Sequence, residues 1–251
     1  MKLVTFNING IRAINRKGNL EELIAKYSPD VICLQEIRCS YEHIVSSIHD
    51  IYPQYPHVMV KCHTKKGYAG VAILSKIAFD PNFELPELHP IFEGRLNICR
   101  LDTGVLVLNA YVMNSQARYT DKWEQRIKLW DVEFKKLVQN LQALSEGKLI
   151  VCGDLNVSRD CHPAIYSPDG SGVTQEEREG FAQLLLETNL IDMIPRTPIP
   201  AYTCFPTSRL RNLKIGTRID YVLVENILAG GETTVLYDIY GSDHVPLLYT
   251  C

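Results

Sequence analysis

Five strand-like runs in this chain are bounded by polar residues of the kinds that hold metals and phosphates. Val31-Ile32-Cys33-Leu34 runs into Gln35-Glu36, and Leu149-Ile150-Val151-Cys152 into Gly153-Asp154-Leu155-Asn156. Leu106-Val107-Leu108 leads through Asn109-Ala110-Tyr111 to Asn114. Arg218-Ile219-Asp220-Tyr221 opens a run, and Gly241-Ser242-Asp243-His244 precedes the last one. Taken singly, each has an ordinary explanation: an Asx turn at Asp154-Leu155-Asn156, a solvated terminal carboxylate at Glu36, a turn cap at Asp243, a core or surface histidine at His244. Together they offer carboxylates for a metal, a histidine with carboxylates available, amides as oxygen ligands and a phenol. That inventory suits phosphoryl transfer, where catalysis is mainly positioning and charge stabilisation. Strand ends of α/β sheets are also where sites are usually assembled.

The elements that must position these residues alternate along the chain. Strands are predicted over residues 2–9, 31–36, 70–75, 96–101, 105–112, 149–153, 219–224 and 245–249. Several are continuously apolar, as expected of strands covered on both faces. Leu20, Leu23, Ile24 and Tyr27 have helical spacing ahead of the stop Ser28-Pro29. Trp123, Ile127, Trp130, Phe134, Leu137, Leu141 and Leu144 form one long apolar stripe after a Thr120 cap, read as core-facing. Thr174-Gln175-Glu176-Glu177 reads as a capping box ahead of Phe181, Leu184 and Leu185. No repeat or linker divides the chain, so one layered α/β domain over residues 1–251 is expected.

With 46% hydrophobic and 22% charged residues, the 251-residue chain has the composition of a soluble globular protein. No apolar run approaches the roughly 18 residues of a membrane span. Residues 1–7 already read as a strand, so no signal or transit peptide is expected. The eight cysteines show no C-x-x-C spacing, and Cys33, Cys99 and Cys152 lie in apolar runs. A reduced, intracellular protein without zinc is expected. The net charge of −3 excludes a polycation, so any affinity for nucleic acid must come from local patches.

The sequence closely resembles the exonuclease III family of AP endonucleases, within the fold group that includes DNase I. The resemblance is carried by Phe6-Asn7-Ile8-Asn9-Gly10-Ile11-Arg12-Ala13, the run from Asp30 to Gln35-Glu36, Gly67-Tyr68-Ala69-Gly70-Val71 and Glu93-Gly94-Arg95. It continues through Cys152-Gly153-Asp154-Leu155-Asn156, residues 174–181, Arg218-Ile219-Asp220-Tyr221 and Gly241-Ser242-Asp243-His244-Val245-Pro246. These eight motifs occur in family order across essentially the whole chain. The resemblance implies a four-layer α/β sandwich of two packed mixed β-sheets flanked by helices, with a site at one edge. It implies Glu36 as the principal ligand of Mg²⁺ (or Mn²⁺), assisted by Asn9 and Asp243, with Asn7 helping to hold Asp154. Asp154 would orient or deprotonate the attacking water, and Asn156 would position it. Tyr111 and Asn114 would contact the scissile phosphate, and His244, oriented by Asp220, would bind a non-bridging oxygen. The expected substrate is double-stranded DNA with abasic sites or damaged 3′ ends, taken by a monomer with no membrane role.

Cys204, Phe205, Thr217 and Ile219 fall where the family receives a flipped-out abasic sugar, and they make that pocket less aromatic than in members committed to abasic sites. Thr-Cys-Phe followed by Gly-Thr-Arg-Ile-Asp-Tyr is similar to the eukaryotic AP endonuclease 2 branch, which leans toward 3′–5′ exonuclease and 3′-end cleaning. That branch implies a nuclear location in a eukaryote. Its C-terminal clamp motif and zinc finger are not expected here, so clamp binding is not carried over. Arg12, Lys66, Tyr68, Arg95, Arg209, Arg211, Lys214 and Arg218 are the expected DNA contacts, the last four lying in or directly after a stretch without an acidic residue between Thr207 and Thr217. Two other readings stand beside this one: a phosphodiesterase of the same fold acting on a phosphoinositide or sphingomyelin, and an inactive binding module on the same scaffold. The Asn-Ile-Asn-Gly-Ile-Arg opening and Gly-Ser-Asp-His ending favour DNA over lipid, and no key polar residue is missing.

Overall fold

A computed structural model describes residues 1–40, 44, 48, 52–194 and 200–251. Its first sheet has six strands in the order β12-β13-β1-β2-β4-β3, and its second five, β5-β6-β7-β11-β9. The first is built from β1 (Lys2–Asn7), β2 (Val31–Gln35), β3 (His57–Lys61), β4 (Val71–Ser75), β12 (Glu232–Val235) and β13 (Leu247–Thr250). The second holds β5 (Leu96–Arg100), β6 (Leu106–Tyr111), β7 (Leu149–Asp154), β9 (Ile191–Asp192) and β11 (Asp220–Val224). A separate two-stranded ribbon joins β8 (Asp160–Cys161) to β10 (Thr217–Arg218).

Strand alternation sends the two faces of each sheet to different partners. In β1, Leu3 joins the apolar layer between the sheets, with Val31, Cys33 and Ile73 on its side and Cys99, Val107, Ile150, Cys152 and Val222 opposite. Val4 and Phe6 point the other way, onto Ile11 and Ile14 of α1 (Ile11–Arg16) and Leu20 and Leu23 of α2 (Asn19–Tyr27). The outer face of the second sheet, with Leu108, Val151 and Leu223, packs on Trp130, Phe134 and Leu141. Each fully buried aliphatic side chain contributes about 1.5–3 kcal/mol. The result is the expected four-layer sandwich of helices, sheet, sheet and helices.

At one end the inter-sheet layer turns polar. Gln35 donates from Nε2 to Asn109 Oδ1 across the interface at 2.7 Å, and Asn109 Nδ2 donates back to the carbonyls of Leu34 and Ala72 at 3.1 and 3.0 Å. Buried amides with their donors satisfied fix the register of one sheet on the other more strictly than apolar packing does.

The central strand pairs explain why five separated motifs meet. β1 runs parallel to β2, and β6 parallel to β7. Parallel neighbours end at the same edge, so Asn7 lies beside Gln35 and Tyr111 beside Asp154 in register. β13 and β11 run antiparallel to β1 and β7, so they begin at that edge, with Asp220 opposite Asp154. His244, three residues before β13, arrives there too.

The strands stop slightly short of expectation at this edge. Asn9 and Glu36 adopt left-handed φ values of 49° and 53°, which end β1 at Asn7 and β2 at Gln35. The short helix α1 follows directly, and β3 and β12 join the sheet edges; none of these three was read from the sequence. Thr120 caps its helix by accepting from Trp123 N, and the Thr174–Glu177 capping box forms at the start of α5 (Gln175–Thr188). The long stripe is corrected in its middle. α3 (Asp121–Gln125) passes through a π-helical turn, Arg126–Trp130, into α4 (Asp131–Ser145). The wider turn shifts the face, so Arg126 is buried while Ile127 is only half-buried, and Leu144 at the far end is exposed. Such turns gather at functional positions.

Candidate active site

The edge carries a chain of hydrogen bonds through oxygen-rich side chains. Asn7 donates from Nδ2 to Glu36 Oε1 at 3.0 Å and to Asp154 Oδ2 at 2.9 Å. Asn7 Oδ1 accepts from the Asn9 backbone at 3.1 Å, and Asn9 Nδ2 donates to Asp243 Oδ1 at 2.9 Å. Glu36 is also paired to Arg38. Asn9, Glu36 and Asn156 all sit at positive φ, a costly backbone for residues with a Cβ that tertiary contacts must hold in place.

Asp154 is buried at the end of β7, with Oδ1 accepting from the Asn156 backbone at 3.0 Å. Burial raises its carboxyl above the ordinary carboxylate range and Asp220 adds to this, against the lowering by His244 and by the hydrogen bond from Asn7. Asn156 donates from Nδ2 to Val112 O at 2.9 Å, and its Oδ1 accepts from Asn114 Nδ2 at 3.4 Å. Gly153 makes this approach of β7 to β6 feasible: a Cβ there would stand 1.9 Å from Ala110 O, at a φ of +132°.

His244 lies between two carboxylates. Its Nδ1 is 2.9 Å from Asp220 Oδ2, and its Nε2 is 3.9 Å from Asp154 Oδ2. Burial alone would push the imidazole down, but the Asp220 carboxylate beside it holds it well above its usual value. The cation is therefore the favoured form, with Nδ1–H directed to Asp220 and Nε2–H free to meet an anion. Tyr111, half-buried beside Glu36 and Asp154, has its phenol raised by desolvation and by those carboxylates and stays protonated, a hydrogen-bond donor rather than a charge.

Several residues that hold this constellation were not picked out from the sequence. Thr203 is fully buried and its hydroxyl accepts from the Asp220 backbone at 3.1 Å. Ser242 donates to Asn7 O at 2.7 Å and accepts from His244 N at 3.2 Å. Arg126 donates to Met113 O at 2.9 Å, Leu155 O at 3.1 Å and Asn156 O at 3.3 Å, and pairs with Asp131 at 2.6 Å. One guanidinium thus ties together the loops bearing Asn114 and Asn156. Its signal in the sequence, a lone arginine inside an apolar stripe, is visible only once the π-turn is known.

The expected DNA contacts divide by exposure. Arg12, Lys66, Arg209 and Lys214 are exposed, and Tyr68 is exposed at the rim. Arg218 is corrected: it is fully buried and ion-paired to Asp192 and Asp160, with no surface to offer a phosphate. Arg95 is corrected likewise, being buried against the rings of Tyr68 and Tyr111 and donating to the Tyr68 hydroxyl at 2.6 Å. Arg211 is half-buried and committed to the carbonyls of Tyr237 and Ile239. Of the expected sugar pocket, Cys204 forms backbone bridges to both Thr217 and His244, and Ile219 is half-buried beside them. Phe205 instead packs with Tyr202 and Val245 in a small apolar cluster.

The donor chemistry fits a hard divalent cation. Glu36, Asp154 and Asp243 gather anionic oxygens linked by two asparagine amides. Among the described residues, Asp154, Asp220 and His244 offer ligand atoms within 4.8 Å of one another, as do Cys204, Asp243 and His244. Burial raises the Cys204 thiol and keeps it neutral, which disfavours a thiophilic metal and leaves oxygen as the ligand.

Residues 4–244 match the Endonuclease/Exonuclease/phosphatase family. The chain is similar to the DNA repair nuclease APEX1 of Danio rerio, 33% identical over 98% of this chain and 81% of that protein. It is also similar to the exodeoxyribonuclease of Bacillus subtilis, 30% identical over 98% of both. Among solved structures, a 3′-5′ exonuclease (NExo) from Neisseria meningitidis superposes with a TM-score of 0.84 and 25% identity, covering 100% of this chain and 99% of that one.

Proposed function

The chain is a nuclease of the Endonuclease/Exonuclease/phosphatase family, in its exonuclease III group of AP endonucleases, and from that premise we propose that it hydrolyses DNA phosphodiester bonds 5′ to abasic sites and at damaged or blocked 3′ ends, in base excision repair. The observation that carries the reading is the run Glu36–Asn7–Asp154, with the His244 Nε2 3.9 Å from the same Asp154 oxygen.

Asp154, raised by burial, orients the attacking water and takes its proton. Asn156, fixed by Val112 O, positions that water. Tyr111 and Asn114 hold the scissile phosphate from one side. The His244 cation, oriented by Asp220, meets a non-bridging oxygen and stabilises the charge that builds there, a contribution of about 3 kcal/mol for one well-placed donor. A divalent cation, Mg²⁺ or Mn²⁺ in its place, held by Glu36 with Asn9, Asp243 and Asn7 assisting, would offset charge on the phosphate and the leaving oxygen. The exposed Arg12, Lys66, Tyr68, Arg209 and Lys214 grip DNA phosphates around the site. The reading of 3′-end work alongside abasic incision is supported by Cys204 and Thr217, a bridged pair that puts no ring into the expected sugar pocket, and by likeness to an enzyme described as a 3′-5′ exonuclease. In a eukaryote the compartment would be the nucleus. Among the described residues no helix is long and apolar enough to cross a membrane.

The test offers purified protein two duplexes, one with an internal abasic analogue and one with a blocked 3′ end, in Mg²⁺ or in chelator. Cleavage of both in Mg²⁺ and of neither in chelator is expected, and their ratio measures the preferred task. Failure to cut either in the presence of metal overturns the reading.

A further inference from the structure

A cavity of about 490 Å³ lies beyond the catalytic edge, walled by Tyr202, Phe205, Arg211, Lys214, Tyr237 and Tyr240. A second cleft, about 440 Å³, reaches Asn9 and Asp243, and shares Phe205, Arg211 and Tyr240 with the first. Those three side chains are thus a partition between the proposed catalytic groups and the outer cavity. Both volumes fall in the range of about 300–1,000 Å³ usual for ligand clefts.

The partition is held in advance. The Arg211 guanidinium donates to Tyr237 O at 2.9 Å and Ile239 O at 2.5 Å, and lies over the Tyr240 ring at 4.3 Å. Stacking on one face fixes the Tyr240 ring, while the residue stays 55% exposed and Tyr237 45% exposed. Lys214 stands exposed at the rim, and Asn212 beside it is exposed too. Among the described residues no carboxylate lines this cavity. The nearby Asp238 is already engaged by Lys26 and by the Tyr27 hydroxyl. Rigid aromatic faces backed by an arginine, an amide and a cation at the mouth are the features that bind an unstacked base with its phosphate.

We propose that the Tyr237–Tyr240 cavity is a second nucleotide subsite, which takes an unpaired base of the DNA strand whose damaged end lies at the catalytic edge, with its phosphate on Lys214. The proposal rests on the reading of this chain as a DNA nuclease. It gives the enzyme a preference for frayed or tailed ends over blunt ones, because only an unpaired nucleotide can leave the stack and cross the Phe205–Arg211–Tyr240 partition.

The experiment compares binding and cleavage of a duplex with a blocked, blunt 3′ end with the same duplex in which the last few nucleotides before the blocked 3′ end are unpaired thymidines, with 2-aminopurine at the first unpaired position. The unpaired end should bind about tenfold tighter than the blunt end or better, with quenching of the 2-aminopurine emission. Tyr237→Leu combined with Tyr240→Leu keeps apolar volume, removes the stacking faces, and should abolish both the gain and the quenching. Turnover on the blunt duplex should be unchanged, which also shows that the variant folds. Unpaired and blunt ends bound equally by wild type, with emission unquenched, overturn the subsite and leave the cavity to an occupant other than nucleic acid. If neither duplex is bound or cut, the nuclease reading itself fails, and the subsite with it.

Discussion

Arg126 sits 3% exposed in the π-turn and makes four hydrogen bonds: to Asp131 and to the carbonyls of Met113, Leu155 and Asn156. Arg126→Ala would leave the half-buried Asp131 without its partner, a loss of about 1.5–3 kcal/mol. Three orphaned carbonyls at about 1 kcal/mol each bring the total near 4.5–6 kcal/mol. That consumes much of a typical domain stability of about 5–15 kcal/mol, so this variant is expected to be severely destabilised. Arg126→Lys is the informative change. It keeps a cation for Asp131 but cannot reach all three carbonyls from one ammonium, and two lost acceptors cost about 2–3 kcal/mol. Because those carbonyls belong to the segments bearing Asn114 and Asn156, kcat should fall about 10–100-fold through misplacement of roughly 1 Å, with KM nearly unchanged. Urea unfolding measures the first quantity and steady-state cleavage of an abasic duplex the second. Adding Arg126→Lys to Asn156→Ala should then cost little further activity, since the two act through one group. Full kcat in the lysine variant despite lost stability, or additive losses in the double variant, would refute the positioning role.

Other consequences of the site are equally open to measurement. Since Asp220 raises His244 in the fold, the proton stabilises the folded state fully below the ordinary histidine value of about 6.5, and this contribution is lost as pH rises through the raised folded value. Wild type should therefore lose stability on the alkaline side, Asp220→Asn should flatten that slope, and the alkaline limb of activity should move to lower pH; an identical pH profile in both proteins argues against it. Glu36→Gln should raise the Mg²⁺ concentration for half-activation by at least about tenfold, as judged against the loss usual for even outer partners of a metal; an unchanged metal titration removes Glu36 from the ligand set. Gly153→Ala places a Cβ 1.9 Å from Ala110 O at a disfavoured φ, and should destabilise by more than about 3 kcal/mol. A melting temperature within about 2 °C of wild type would show that β6 and β7 can move apart.

Much of this was legible in the residues themselves. Apolar runs such as Leu149–Cys152 announce strands covered on both sides, and Thr174 with Glu177 announces a helix start, because burial and capping are local demands that residue type satisfies. Glu36, Asp154 and His244 stood out as polar groups at the ends of such runs, Asn7 came with the family resemblance, and all four meet at one edge. Helix α1 was harder to see, since Asn9 and Gly10 interrupt the strand pattern through backbone conformation, which side-chain periodicity does not report.

Residue type alone therefore determined the kinds of element, the layering and the chemistry available, since hydrophobic period and functional groups are properties of the chain read in order. Only the tertiary structure decided which charges face DNA. Arg209 and Arg218 are alike in sequence, yet Arg209 is exposed while Arg218 is sealed beneath the surface against Asp192 and Asp160. It also decided that Arg126, one turn of π-helix away from the expected stripe, points inward to the loops of Asn114 and Asn156. A charge acquires its role from the partners that distant strands bring to it, and that proximity is set by sheet topology rather than by its neighbours in sequence.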